Sequence, residues 1–218
     1  IITLNRPEVL NAINPETSTE LHQAWNAFNN SDDQKIAIIT GTGDRAFSAG
    51  ADLKAAAERR AIGEPAGDGM SYAGAGLLKG THIYKPMIAA VNGYAIGGGL
   101  ELTLACDIRL ASENASFGLS EVRWSLIASG GGLSYIMRNI PRAIAMRMIL
   151  TGEHIDAQEA YRIGLINEIV PQNKLLPRAI EIARVIGQNG PLAVSTSKET
   201  AIRGMDLPLD KSFILEDQ

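Results

Sequence analysis

The sequence is short of several things. It has a single cysteine, Cys106, so no internal disulfide forms and no thiolate metal cluster is built from this chain alone, which points to an unstapled chain in a reducing compartment. Basic residues do not outnumber acidic ones: 20 Lys and Arg against 24 Asp and Glu leave a formal net charge of −4. With no positive excess to hold a phosphate backbone, nucleic acid is not an expected partner. Long apolar runs are missing too. The most apolar stretch, Pro86 to Leu100, is interrupted by Asn92 and by Gly93, Gly97, Gly98 and Gly99, and is closed by Lys85 and Glu101. It is too short and too broken to span a bilayer, so no membrane is expected either. The first residues, Ile1 to Leu4, are β-type and carry no initiator Met or basic leader; the chain is expected to begin inside a structural element, with any targeting segment upstream. A cytoplasmic location is expected, the missing start leaving the mitochondrial matrix open.

Familiar catalytic signatures are also absent. No Gly-Lys-Ser/Thr follows a glycine at P-loop spacing, and Gly93, Gly97, Gly98 and Gly99 do not give the dinucleotide pattern, which lowers nucleotide hydrolysis and hydride transfer. His22, His82 and His154 are far apart and lack His-Glu-x-x-His spacing, so core or surface histidine is the simpler reading and no metal site is expected. There is no Gly-x-Ser-x-Gly elbow, and Cys106 in Leu104-Ala105-Cys106-Asp107 has the surroundings of an inert buried thiol.

What remains is an α/β chain. At 218 residues and 45% hydrophobic, one large domain, or one domain with a small appendage, buries an adequate core. Strand-like and helix-like stretches alternate through the first two thirds. Ile1 to Asn5 reads as a strand. Asn14 and Pro15 then offer an N-cap and a first-position proline to a helix reaching about Asn29, with Leu21, Ala24, Trp25 and Phe28 on one face. Ile36 to Thr40 and Ile88 to Val91 are continuous apolar runs, the mark of strands buried on both faces. Leu100 to Ala105 reads as a buried helix and Asp107 to Ala111 as the next strand. Helices follow at Pro141 to Leu150, Asp156 to Ile163 with Gly164 after it, Lys174 to Gly187, and Pro191 to Arg203 with Gly204 after it, interrupted by a strand at Asn167 to Val170. The Gly- and Ala-rich stretch Ala61 to Gly80 is the expected mobile loop or lid.

Two glycine-rich turns and two carboxylates carry the chemistry. In Ala46-Phe47-Ser48-Ala49-Gly50-Ala51-Asp52-Leu53-Lys54, small residues lie between a buried strand and a helix, which suits a ligand approaching the backbone and equally suits a tight connection. Asn92-Gly93-Tyr94-Ala95-Ile96-Gly97-Gly98-Gly99-Leu100-Glu101 opens a second helix whose first amides lack intrahelical partners. Together the turns offer two N–H donors able to converge on one oxygen, as in an oxyanion hole. Glu101 lies in the first turn of that helix, where a dipole or capping role is as good a reading as a chemical one. Glu121 alone reads as a solvated loop acid. A carboxylate beside another in an apolar pocket, however, has its pKa raised and becomes fit for proton transfer near neutrality.

These stretches, with Leu4-Asn5-Arg6-Pro7, Leu10-Asn11-Ala12, Ala105-Cys106-Asp107 and Phe117-Gly118, make the chain resemble the crotonase, or enoyl-CoA hydratase/isomerase, superfamily from end to end. The resemblance implies a superhelical spiral of β-β-α repeats over 1–166 holding the active site, then a helical oligomerisation region over 167–218, with assembly as a homotrimer or dimer of trimers. Family members extend past both ends of this chain, and Phe213 to Gln218 corresponds to the start of a further helix. The resemblance implies that the oxyanion-hole amides are those of Ala51 and Gly98. It implies that Ala49, Ala51, Asp52, Leu53, Lys54 and Gly98 line the coenzyme A channel, with Lys54 near the phosphates. Hydratases of the family carry a glutamate at both of two places, here Glu101 and Glu121. The implied reaction is syn hydration of a 2-enoyl-CoA, with coenzyme A as part of the substrate and no metal or redox cofactor. Isomerisation, carnitinyl-CoA dehydration, hydration-cleavage of an aryl-propenoyl-CoA, and a non-catalytic role binding coenzyme A esters are the alternatives. Where family members show Gly and Pro after the second glutamate, this chain has Ser125 to Ser129 and then Gly130 to Gly132. Trp124 is large enough to wall an acyl pocket or simply to pack.

Overall fold

A computed structural model of the chain describes residues 1–61, 77 and 82–217. Its strands are β1 (Ile2–Leu4), β2 (Ala37–Gly41), β3 (Ala46–Ser48), β4 (Met87–Val91), β5 (Tyr94–Ile96), β6 (Ile108–Ser112), β7 (Ser116–Gly118), β8 (Ile155–Asp156) and β9 (Glu168–Val170). Its helices are α1 (Pro15–Asn30), α2 (Leu53–Ala61), α3 (Gly98–Leu104), α4 (Gly132–Asn139), α5 (Arg142–Thr151), α6 (Ala157–Arg162), α7 (Leu175–Gly187), α8 (Pro191–Gly204) and α9 (Leu209–Glu216).

The chain winds as a spiral. Three successive turns, β2-β3-α2, β4-β5-α3 and β6-β7-α4, each place one strand in a five-stranded sheet of order β1-β2-β4-β6-β9 and one in a four-stranded sheet of order β3-β5-β7-β8. All pairings are parallel except β7 with β8. Parallel neighbours need a crossover, and each helix supplies it. The fold is thus the β-β-α spiral that the sequence resemblance implied.

The continuous apolar runs are explained by burial on both faces. Ala37, Ile39, Ala89, Val91 and Ala111 point into the main core with Trp25, Phe47, Leu100 and Phe117. The alternate positions Ile38, Ile88, Ala90, Leu110 and Val170 meet Leu175 and Ala179 of α7 on the opposite face. A strand with two buried faces has no polar phase to its period-two pattern. Helix α1 starts where expected: the Asn14 side chain accepts from the Thr17 amide at 2.9 Å, and Leu21, Trp25 and Phe28 are buried.

Several elements depart from the sequence expectations. The second sheet was not anticipated as such, because β3, β5 and β7 have three residues each, too few to show a period. Tyr94 to Ile96 is therefore a strand and not part of a turn. Gly204 is the last residue of α8, not the residue after it, and α4 and α9 are additional helices, the latter opening at Leu209. β9 completes the larger sheet and α7 covers it, so the chain after residue 166 stays continuous with the spiral through Gly187. The loop expected at Ala61 to Gly80 lies outside the described residues, apart from Ala61 and Leu77.

Two buried asparagines join the sheets beneath the site. Asn92 Oδ1 accepts from Gly41 N at 3.0 Å, while its Nδ2 donates to Gly43 O at 2.8 Å and Ala46 O at 3.1 Å. Asn11 Nδ2 donates to the same Ala46 O at 2.8 Å and to Thr42 O at 3.1 Å. Asn92→Ala strands several of these groups, each costing about 1–3 kcal/mol when left unpaired in the interior. A loss of at least about 2 kcal/mol is expected, read as a lower urea midpoint at unchanged slope.

Candidate active site

The first glycine-rich turn is pinned by the chain before α1. Ile13 N donates to Gly50 O at 2.8 Å and Asp52 N donates to Ile13 O at 2.9 Å, an isolated parallel bridge that straddles Ala51. In such a bridge the amides and carbonyls on either side of residue 51 do the pairing, so its own N–H faces away from Ile13. Gly50 has φ +84°, and a Cβ there would stand 2.6 Å from Ile96 O and 2.9 Å from Gly98 N. Only glycine meets both demands, and the two turns lie backbone against backbone at Gly50 and Gly97–Gly98. Gly97, at φ +54°, spends its amide on Gly118 O at 2.8 Å. The next amide, Gly98 N, is the first of α3, which has no intrahelical acceptor. Among the described residues neither Ala51 N nor Gly98 N donates to another backbone carbonyl.

The other residues of the first turn separate by role. Ala49 N donates to Leu10 O at 2.9 Å. Both carboxylate oxygens of Asp52 are engaged: Oδ1 accepts from Ala55 N at 3.1 Å and Oδ2 from Arg6 Nη1 at 3.0 Å. Burial would raise the Asp52 carboxyl, but the Ala55 amide and the Arg6 guanidinium outweigh it and hold the group below its ordinary value. The side chain therefore caps α2, while its backbone N–H and carbonyl are spent on Ile13 O and Ala56 N. Leu53 and Lys54 follow on the exposed start of α2.

The two glutamates come together at the start of α3. Glu101 is 2% exposed, and its Oε1 accepts from Gly132 N, the first amide of α4, at 3.0 Å. Glu121 opens a 3₁₀ turn, Glu121–Trp124, that follows β7. Its Oε1 stands 3.0 Å from where a Cβ on Gly97 would be, and its Oε2 is buried without a hydrogen-bond partner. Burial, with the negative charge of Glu101 adding to it, pushes the Glu121 carboxyl up to about 7. A buried acid with one oxygen unpartnered, held above its ordinary pKa next to a second acid, suits proton transfer.

The remaining candidates lie elsewhere. Cys106 is buried, and burial beside Asp107 pushes its thiol up to about 12, so it stays protonated. Among the described residues no three His, Cys, Asp or Glu side chains group as metal ligands would. Trp124 is 67% exposed and so does not pack in the core. Sequence reasoning missed Arg6 and the Gly132 amide; the latter had a signal, since Gly130 to Gly132 precede a helix and helix-opening amides seek a carboxylate. No helix among the described residues is long and apolar enough to cross a membrane.

The family model described as enoyl-CoA hydratase/isomerase matches residues 1–218. (E)-Benzylidenesuccinyl-CoA hydratase of Thauera aromatica is 40% identical over 221 residues, covering 98% of this chain and 82% of that protein. Enoyl-CoA hydratase EchA19 of Mycobacterium tuberculosis is 41% identical over 224 residues, covering 100% of this chain and 82% of that protein. The crystal structure of an enoyl-CoA hydratase from Bacillus anthracis superposes with a TM-score of 0.90 at 38% identity, covering 99% of this chain and 83% of that one. By motif, by spiral architecture and by similarity over its whole length, this chain belongs to the enoyl-CoA hydratase/isomerase, or crotonase, family.

Proposed function

We propose that the chain is a hydro-lyase that adds water reversibly across the 2,3 double bond of a 2-enoyl-CoA. The observation that carries this reading is the Glu121 carboxyl, buried with one oxygen unpartnered, raised to about 7, and set against Gly97 beside Glu101. The thioester oxygen lies between the amides of Ala51 and Gly98, where negative charge develops as an enolate forms. Each such donor in a dry site lowers the barrier by about 3 kcal/mol. Water sits between the carboxylates. Glu101 takes its proton as the oxygen bonds to C3, the π electrons move to the thioester oxygen, and Glu121 then gives its proton to C2 as the carbonyl re-forms. General acid and base help contributes about 10²–10⁴-fold.

Coenzyme A belongs to the substrate, and its channel runs along Ala49, Ala51, Asp52, Leu53, Lys54 and Gly98, with the Lys54 ammonium near the phosphates. No metal or redox cofactor is required by these steps. The helical region 167–218 carries the contacts of a homotrimer or dimer of trimers; the exposed Leu192, Met205, Leu209 and Phe213 on and between α8 and α9 support this.

The pH dependence follows from the proton count. The reactive pair holds one proton, on Glu121 before hydration and on Glu101 after it. Hydration as a whole neither takes up nor releases a proton, so kcat/KM must follow the same curve in both directions. Activity is expected to fall as pH rises through about 7, where the Glu121 carboxyl loses that proton, and to fall again at low pH when both acids are protonated. Rates with crotonyl-CoA and with its 3-hydroxy product, measured across pH, check this; activity undiminished between about pH 7 and about pH 9 contradicts it.

A second reading within the same chemistry is an aryl-substituted acyl group. The exposed Trp124 indole, three residues beyond Glu121, supports it, as does the similarity to a hydratase named for benzylidenesuccinyl-CoA. A substrate panel of crotonyl, long-chain and cinnamoyl thioesters decides between them: a preference of tenfold or more for the aromatic member, about 1.4 kcal/mol, assigns the aryl reading.

A further inference from the structure

The short strand β8 runs antiparallel to β7, with Phe117 opposite Ile155 and Ser116 opposite Asp156. This register brings His154 alongside Gly118, so closely that any side chain at Gly118 would collide with the imidazole. Two residues further on, Ser120 Oγ lies 2.6 Å from His154 Nε2 and 3.2 Å from Gly152 O. A hydroxyl has one proton to donate, and the Gly152 carbonyl accepts only. Donation to Gly152 O leaves Oγ as acceptor, so the proton between His154 and Ser120 is on Nε2. Burial and the Arg123 guanidinium hold the His154 ring below its ordinary pKa, and the Nε2–H tautomer makes this bond from the neutral ring.

What the contact holds is the turn that aims Glu121. Ser120 is the N-cap residue of the Glu121–Trp124 turn and makes no capping bond of its own with its side chain. Gly118 O is the acceptor for Gly97 N at 2.8 Å, and Gly97 is the residue against which the Glu121 carboxyl rests. One imidazole therefore touches both supports, Gly118 under the glycine turn and Ser120 under the acid. At the other end of the turn Arg123 packs its side chain on Gly152.

We propose that His154 is a positioning residue for the reaction: through its Nε2–H bond to Ser120 Oγ and its packing on Gly118, it fixes the turn that holds the Glu121 carboxyl against Gly97. The proposal rests on the hydratase reading for its effect on turnover, whereas its effect on the carboxyl itself can be read without turnover. The charged group that acts on His154 is the Arg123 guanidinium from the turn.

His154→Leu keeps the bulk and removes the donor, while His154→Gln returns an N–H at the position of Nε2. With crotonyl-CoA, His154→Leu is expected to lose about tenfold in kcat with KM within about twofold, since small misplacement of a reacting group costs rate more than binding. His154→Gln is expected to restore kcat to within about threefold of the parent. Ser120→Ala, which also gives up the bond to Gly152 O, should lose at least as much as His154→Leu, and the double variant should be no worse than Ser120→Ala, because the bond to His154 is already gone in it. The second arm is a ¹³C titration of the Glu121 carboxyl, whose midpoint in the parent is expected at about 7. Loosening the turn admits water, and the midpoint in His154→Leu is expected to fall by about one unit or more toward the ordinary carboxylate value, with His154→Gln holding it. A parent that turns over no enoyl thioester sinks the hydratase reading, and the titration then decides the proposal by itself. An unmoved midpoint in His154→Leu, a Gln variant no better than Leu, or additive losses in the double variant overturns it.

Discussion

Glu121→Gln is expected to lower kcat for hydration of crotonyl-CoA by about 10²–10⁴-fold while KM changes by less than about threefold. The substitution keeps the shape of the side chain and removes its ability to give a proton to C2. It also removes a charge that burial and Glu101 already disfavour, so thermal stability should not fall and is expected to rise slightly. This pairing of lost rate with retained stability separates a chemical role from a structural one. Glu101→Gln differs on the second count: Glu101 Oε1 is the acceptor for Gly132 N in a buried setting, and an amide oxygen holds that bond less strongly than a carboxylate. A Glu121→Gln enzyme with kcat within twofold of the parent would remove Glu121 from the chemistry.

Gly50→Ala is expected to cost about 10²–10³-fold in kcat/KM, the loss seen when one oxyanion donor is withdrawn. No side chain of residue 50 touches the substrate in this account. The effect is a wedge: at φ +84° a Cβ meets Ile96 O at 2.6 Å and Gly98 N at 2.9 Å, both of them backbone atoms held in a strand and a helix. The two turns must separate by several tenths of an ångström, and the amides of Ala51 and Gly98 separate with them. Stability also falls, since the left-handed conformation costs an alanine about 1–2 kcal/mol. Substrate binding through the coenzyme A moiety should survive, so KM for crotonyl-CoA rises far less than kcat falls. A variant that is destabilised but retains kcat would show that the two amides do not share one oxygen.

How much was legible in the sequence depended on how far each element's pattern extended. The five-residue strands β2 and β4 announced themselves because all five positions of each are buried, and α1 because its cap and its apolar face agree. The three-residue strands β3, β5 and β7 left no period to read; they are defined by their neighbours in the spiral. The glycine turns were visible as composition, but that Gly50 presses on Gly98 depends on the parallel stacking of β3 and β5, which is a property of the whole spiral. Glu101 and Glu121 were recognisable through the family motif. Their mutual influence is a tertiary fact, since Glu121 follows β7, one spiral turn beyond the β5–α3 connection. Nothing local marks Arg6 as the partner of Asp52, 46 residues away, or His154 as the neighbour of Gly118, because one pairing is made across parallel segments and the other across the antiparallel β7 and β8, neither of them near in sequence.

In the proposed reaction an enolate forms on the thioester and Glu121 moves the proton at C2. Exchange of the C2 hydrogen of butyryl-CoA in heavy water, followed by NMR, tests it most directly, because a saturated thioester has no double bond to hydrate and exchange reports the proton step alone. Steady deuterium incorporation is expected with the parent enzyme, with little change in Glu101→Gln and loss by at least about 10²-fold in Glu121→Gln. No exchange with the parent, or exchange undiminished in Glu121→Gln, would contradict it.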